Sequence, residues 1–311
     1  KYTGNEKIEG RIVNSFEELA ETDHAALLRC QSSDNLAFVP DKSVDAVITD
    51  PPYFDNLQYS ELADFFYVWL RLGLKDTYSW FEPETSNSRN ELVKNDKFGK
   101  TTEFFNQGLC RVFSECHRVL KDDGLLVFSF HHNKVWAWEG MAQLLLDAGF
   151  YISEMPIVRS EGRGEVHSSE GNIKYDGIFV CRKKPSQLPA ATWPAIKKSI
   201  LSDSVSWARR TLQSGMLMND VDIFTIVMGK TIEHYTQAIA CDLPQEGKPL
   251  PVLKDALEEM VKMASRVSTT AKLEDNGIPK VYTQKMEQLR LILSESRSKY
   301  GAKADSVTSS K

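Results

Sequence analysis

"VDAVITDPPYFDN", residues 44–56, sets a β-rich run against a corner built from two prolines. Only Asp45 interrupts the apolar character of residues 44–49, a pattern that predicts a strand buried on both faces, as in parallel sheets. The tetrapeptide that follows, Asp50-Pro51-Pro52-Tyr53, gives up two backbone donors where the strand ends. Each proline holds φ at about −65°, and the residue ahead of a proline is pushed to extended conformations. The corner is therefore stiff, and the Asp50 and Pro51 carbonyls meet no ladder donors. A turn that merely stops the strand is the plain reading. The richer one is a site presenting carbonyls, a carboxylate and an aromatic face in one direction. In open α/β sheets ligands bind beyond the carboxyl ends of strands, which is where this corner sits.

Upstream, residues 1–25 are polar and mixed, with "SFEEL" as a short helix start and Ala25–Cys30 as a short strand. Downstream, "SELADFFYVWLRLGL" predicts a helix with Ser60 as its cap and Glu61 in its first turn. Apolar residues cover most of its circumference, which predicts a well-buried packing helix rather than a base-binding surface. Residues 76–100 are polar and aperiodic, a length of loop that is functional or disordered in compact domains. If that loop touches DNA, Lys94, Lys97 and Lys100 supply its phosphate contacts.

"TEFFNQGLCRVFSECHRVL" has helical spacing, "KDDG" reads as the turn into a second buried strand "LLVFSF", and "VWAWEGMAQLLLDAGF" is a helix ended by Gly149. Cys110 and Cys116 fall on one helix face and read as core. "YISEMPIV" and "DGIFVCRK" add two strands. This alternation predicts an α/β fold with an open sheet over residues 1–184. At "KKPSQLPAATWP" the texture changes, and residues 185–311 read as a mainly helical region. Its helices are expected at Ala195–Leu212, Val221–Ala240, Val252–Ala264 and Val281–Ser296, before a frayed tail.

Composition narrows the class of molecule. With 311 residues, 41% hydrophobic and 26% charged, the chain is ordinary for a globular protein. It has no apolar run long enough to span a bilayer and no secretory signal, so a membrane partner is not expected. Five cysteines, an odd number without a close C-x-x-C pair, argue against a disulfide framework or a zinc ribbon and suit a reducing cytoplasm. The net charge of −5 carries no global signature of nucleic-acid binding, so polyanion contacts fall to local clusters such as Arg182-Lys183-Lys184. The chain starts at Lys1 rather than Met and reads as a fragment or processed product.

A stiff edge made of acceptors suits a ligand group with two N–H donors, such as a primary amine on an aromatic ring. That amine is a poor nucleophile because its lone pair is delocalised into the ring. Accepting one proton on the Asp50 carboxylate and one on the Pro51 carbonyl favours a tetrahedral nitrogen with its lone pair aimed at an electrophile. Tyr53 can stack on the base, a contact worth roughly 1–3 kcal/mol. A base inside a duplex must first flip out, at a cost of a few kcal/mol. The carboxylate then stabilises the positive charge that develops on the nitrogen.

These residues carry a resemblance. "DPPY" after a hydrophobic strand resembles the motif of the S-adenosylmethionine-dependent amino-methyltransferases, where Asp at the first position is commonest in adenine-N6 enzymes and Ser in cytosine-N4 enzymes. The longer "DPPYFDNLQYSELADFFYVWL" is similar to the large bacterial and archaeal adenine-specific DNA methylases whose fuller members carry an upstream zinc ribbon. "FSFHHNKVWAWEGMAQLLLDAGF" and "VDIFTIVMGKTIEHYTQA" resemble later segments of that family, so the likeness spans roughly residues 26–262. It implies a Rossmann-like class I methyltransferase sheet, incomplete in this chain, S-adenosyl-L-methionine as cofactor, and a flipped adenine of DNA as substrate. It also implies catalytic roles for Asp50, Pro51, Pro52 and Tyr53, and a setting in restriction-modification or phage defence.

Neighbouring residues extend the expected site. Asn56 and Tyr59 lie close enough to touch substrate, although Asn56 serves equally as a turn cap. His131 and His132 follow the "LLVFSF" strand at a carboxyl end, where adjacent residues point opposite ways, so one of them is structural and either can meet substrate. No acidic or thiol partner at useful spacing makes them a metal site. Asp34 is either a helix cap or a residue reaching the cofactor's adenine, and Asp50 also borders the cofactor. The family's glycine-rich cofactor loop has no counterpart before Asp50. The one candidate, "EGRGEVH" (Glu161 to His167), stands among late strands. The expectation is that a cofactor-binding half lies upstream or on another chain. Two alternatives stay open: an RNA or cytosine-N4 methyltransferase, and a non-catalytic binding or assembly subunit.

Overall fold

The computed structural model describes residues 10–54, 57–86, 89–160, 173–184, 192–214, 218–240 and 250–273. Asn56, the segment from Glu161 to His167, the linker 185–191 and the helix expected at Val281–Ser296 lie outside the described residues. The chain enters through a small parallel pair, β1 (Arg11–Val13) and β2 (Ala25–Leu27), with α1 (Phe16–Glu21) between them. Ser15 caps α1 by accepting from the Glu18 backbone N–H.

β3 (Val44–Thr49) opens the main sheet and leads through the proline corner into α2 (Tyr59–Leu74). α3 (Thr102–Val119) follows, capped by the Thr101 hydroxyl and amphipathic through Phe105, Leu109, Phe113 and Cys116. It feeds β4 (Leu120–Phe130), whose alternate residues Leu126, Phe128 and Phe130 are buried. "KDDG" belongs to this strand rather than forming a turn ahead of it. Val44 pairs with Leu120 but Ala46 with Leu125, so the polar residues bulge out of register while the strand continues.

α4 (Val135–Asp147) ends where Gly149 adopts a φ of 87°, with the His117 ring against its α-carbon. β5 (Phe150–Glu154) and β6 (Ile157–Arg159) then lie end to end along β7 (Tyr175–Lys183). The sheet order is β3-β4-β7-β5, with only β3 and β4 parallel and β7 antiparallel to its neighbours. The fold is a mixed α/β sheet followed by helices α5 (Trp193–Gln213), α6 (Asp220–Ile239), α7 (Leu253–Val261) and α8 (Ala264–Leu273). These helices share one hydrophobic core with the sheet, where Phe179, Trp138, Phe224 and Met228 are all fully buried. Among the described residues no helix is long and apolar enough to cross a membrane.

The two edges of the sheet differ. α6 seals the β5 edge with side chains: Thr236 Oγ1 accepts from Ile152 N at 3.1 Å, Gln237 Nε2 donates to the Ile152 carbonyl at 3.0 Å, and Glu233 accepts from Met155 N at 2.8 Å. β3, at the other edge, corrects the expectation of a strand buried on both faces. Val44 and Val47 are partly covered, but Ala46 is exposed and Ile48 is 79% exposed. α2 corrects the second burial expectation. Only Ser60 is buried in it, and Leu62, Phe65, Phe66, Trp69 and Leu72 are 58–68% exposed. Each such side chain left in water forgoes about 1.5–3 kcal/mol of burial. Nor does Ser60 act as the α2 cap. The helix starts at Tyr59, and its first turn is held by Glu91, whose carboxylate accepts from Ser60 N at 2.8 Å and from its hydroxyl at 2.6 Å.

Candidate active site

Parallel pairing sets Thr49 opposite Phe128. The next residues, Asp50 on the corner and Ser129 on β4, therefore stand side by side at the carboxyl end of the sheet. The Ser129 hydroxyl donates to Asp50 Oδ1. Tyr53 Oη lies 2.6 Å from Ser129 Oγ and 3.0 Å from the same Asp50 oxygen. Each hydroxyl has one proton, so a relay satisfies the set: Tyr53 donates to Ser129, and Ser129 to the carboxylate. Burial pushes the Tyr53 phenol well above its usual range. The Ser129 hydrogen bond opposes this, and the Asp50 and Asp176 charges add to it, so the phenol keeps its proton.

These contacts converge on one oxygen of an exposed carboxylate; among the described residues Asp50 Oδ2 has no partner. The Pro51 carbonyl likewise has no donor among the described residues. The corner thus holds its exposed carboxylate by one oxygen, next to a Pro51 that is itself buried.

Phe54, the next residue, is strained. Its φ of 53° places a bulky side chain in the left-handed region, yet the residue is fully buried. Its ring lies 4.2 Å from Phe105 and 5.0 Å from Trp136, centroid to centroid, and its carbonyl accepts from Lys94 N at 2.8 Å. This anchorage turns the chain out of the corner. It also ties part of the polar loop to the site, as does the 2.8 Å bond from Asn95 to the Gln58 side chain. Of the three loop lysines, Lys100 is buried with Nζ on the Glu91 carbonyl, Lys94 is paired with Asp96, and Lys97 is exposed.

The two histidines part company. His132 is buried, accepts from Lys134 N at 3.1 Å, and its carbonyl receives the Trp138 indole at 2.8 Å. His131 turns toward the corner, its ring edge-on to Tyr53 with centroids 5.1 Å apart and its Nδ1 paired with Asp176. The register that pairs Phe130 with Gly177 brings Asp176 there. Burial works to raise the Asp176 carboxyl, but hydrogen bonds led by His131 outweigh it and hold the group below its ordinary value of 3.8. A depressed carboxylate contributes stability above its unfolded value and loses it as pH falls through the folded one. Asp176→Asn is therefore expected to flatten the acid arm of the stability–pH curve below about pH 4. Urea midpoints read across that arm would show this; an acid arm identical to wild type would remove Asp176 from it.

Other sequence candidates stand elsewhere. Asp34 lies on the loop along α3, 3.6 Å from Arg111. Tyr59 begins α2; burial raises its phenol, with the Asp50 and Glu91 charges adding. Cys116 is buried, which pushes its thiol up to about 11, an inert core position. A cleft of about 1570 Å³ between α3, α4 and α7 has none of residues 50–53 in its lining. Among the described residues no cluster of His, Cys, Asp or Glu could hold a metal ion. Ser129 and Asp176 are the site residues that sequence reasoning missed. Ser129 had a faint signal, as the one hydroxyl in an apolar strand end beside the corner. Asp176 had none, because antiparallel register alone delivers it.

A nucleoside-bearing methyl donor needs a strand-to-helix turn lined with backbone N–H groups, for which glycine allows close approach. The connections out of β1, β3, β4 and β7 contain no glycine, and Asp34 is engaged by Arg111. Among the described residues these connections offer no glycine-lined turn beside the Asp50 corner.

The corner stands at the carboxyl end of a parallel pair, the end at which open α/β sheets hold their ligands. The family whose profile is described as DNA methylase (N6_N4_Mtase) matches residues 44–268, and the chain belongs to this family. No curated protein matches the chain. Among solved structures it is similar to two of a Thermus thermophilus protein, provisionally described as a DNA modification methylase. The first is 16% identical, with 64% of this chain and 81% of that one covered and a TM-score of 0.29. The second is 15% identical, with 76% and 93% covered and the same TM-score of 0.29.

Proposed function

We propose that the chain carries the acceptor half of a DNA adenine-N6 methyltransferase that uses S-adenosyl-L-methionine. The observation that carries this reading is the Tyr53–Ser129–Asp50 relay, which fixes one carboxylate oxygen and leaves the other without a partner among the described residues, the Pro51 carbonyl being the second acceptor the reading requires. An exocyclic amine donating to both is held with its lone pair facing away from the corner. Asp50 then offsets the charge that builds on nitrogen. A flipped base approaches past Tyr53, with Asn56 and His131 as further contacts. The Asp at position 50 supports adenine over cytosine by resemblance, restriction-modification or phage defence is the setting the same resemblance suggests, and the odd cysteine count suits a reducing cytoplasm.

The expected product is N6-methyladenine. Duplex DNA treated with the full-length protein and S-adenosyl-L-methionine, then digested to nucleosides, identifies the modified base by mass. N4-methylcytosine would move the specificity to the other amine, and methylation of RNA alone would replace the substrate.

A further inference from the structure

Two carboxylates, not one, stand around Tyr53. Asp50 meets its hydroxyl at 3.0 Å, and Asp176 meets its ring through His131, whose imidazole lies edge-on to Tyr53 with centroids 5.1 Å apart. Register brings the pair together: Phe130 faces Gly177 across the β4–β7 ladder, so His131 and Asp176 meet one step beyond it. The ladder already fixes the two strands, and a pair that merely stapled them would be redundant there. The two side chains are 24% and 17% exposed, a setting that screens a charge less than open surface does. The reach of that charge is visible at Tyr53, where Asp176 joins Asp50 in opposing loss of the phenol proton. The bond to Asp176 occupies His131 Nδ1, and among the described residues Nε2 has no partner, so the ring can gain or lose a proton there. The ionisable groups around it are Asp176 from β7, Tyr53 and Asp50 from the corner and, one register step beyond Asp176, Arg159 on β6 opposite Tyr175.

We infer that Asp176 is a second electrostatic carboxylate of the acceptor corner and that His131 switches it. With the imidazole neutral, the corner carries two negative charges, Asp50 and Asp176. With the imidazole protonated, the ion pair cancels and Asp50 acts alone. Histidine is the side chain whose charge ordinarily changes between about pH 5 and 8. The inference rests on reading Asp50 as the methylation corner. There an N–C bond forms as the C–S bond of a sulfonium methyl donor breaks. Positive charge passes from sulfur to the nitrogen and is discharged when one N–H proton leaves to Asp50 or water. A further negative charge facing that nitrogen favours the transfer, and a cation opposes it. Asp176 touches none of the reacting atoms and acts through space.

The test is the pH profile of single-turnover methyl incorporation into duplex DNA at saturating S-adenosyl-L-methionine, set beside the ionisation of His131 read by NMR on the same protein. The spectrum of His131→Gln identifies the His131 signal among the six histidines. The wild-type rate should rise about tenfold with pH, the order expected of one partly screened charge nearby, with its midpoint at the NMR midpoint. His131→Gln keeps an N–H for Asp176 without a charge. It should lose the rise and hold at about pH 5.5 the rate that wild type reaches only at about pH 8. His131→Lys, a cation throughout, should keep the slow acid rate of wild type at every pH. Asp176→Asn should be about tenfold slower than wild type at the alkaline end. Residues that only support the fold would lower all these rates in parallel and could raise none of them.

A rise that persists in His131→Gln would overturn the inference, as would a rate midpoint apart from the NMR midpoint. If circular dichroism shows His131→Gln unfolded, His131→Lys carries the test, and a rise with pH in that variant overturns the inference equally. No methylated base from wild type at any pH would sink the functional reading and this inference with it. A methylating wild type indifferent to pH across this range would sink the inference alone.

Discussion

Replacing Asp50 by alanine is expected to lower the rate of base methylation by roughly 10²–10³-fold, the usual cost of removing one pre-organised electrostatic partner. Far-UV circular dichroism and affinity for duplex DNA should hold, because Asp50 is exposed and its protein contacts are only Ser129 and Tyr53 among the described residues. Asp50→Asn should fall between wild type and alanine, since an amide oxygen still accepts one N–H but carries no charge. Ser129→Ala leaves the carboxylate in place and releases its anchor. It should cost about tenfold, the equivalent of one neutral hydrogen bond. Tyr53→Phe keeps the ring and loses the relay, so it should resemble Ser129→Ala, whereas Tyr53→Ala also loses about 1–3 kcal/mol of stacking. Radiolabelled methyl incorporation at saturating donor reads all five variants. Full activity in Asp50→Ala would sink the proposed role of the corner.

The ranking depends on tertiary register, and that explains what was legible in the sequence. The corner Asp50–Tyr53 is legible because two adjacent prolines are local chemistry: they fix dihedrals and delete donors whatever surrounds them. Helices α3, α4 and α6 are legible for a similar reason, since a 3.6-residue period survives without knowledge of the partner. Burial of β3 and α2 is not legible. An apolar run states that cover is needed and not where the cover comes from, so Ile48 and Trp69 read as core and stand exposed. Glu91 at the start of α2 was hidden because the cap arrives from a loop 31 residues away. Asp176 was hidden because it reaches His131 through the pairing of β4 with β7.

Phe54 tests whether the corner is held in a strained state. Truncating a fully buried phenylalanine costs about 3–5 kcal/mol in lost transfer energy and cavity, and the rings of Phe105, Trp136, His132 and Phe130 all face this one. Phe54→Ala should lower stability by about that amount and loosen the turn that aims Asp50. The informative comparison is with Phe54→Gly. Glycine at an unstrained site is less stable than alanine by about 0.5–1 kcal/mol because its unfolded chain is freer. At a φ of 53° alanine keeps a left-handed penalty of roughly 1–2 kcal/mol that glycine does not feel. The usual order should therefore invert, with Phe54→Gly more stable than Phe54→Ala in urea denaturation at equal m-value. If alanine proves the more stable of the two by its ordinary margin, the left-handed turn is not what the folded protein holds, and the corner owes its shape to the prolines alone.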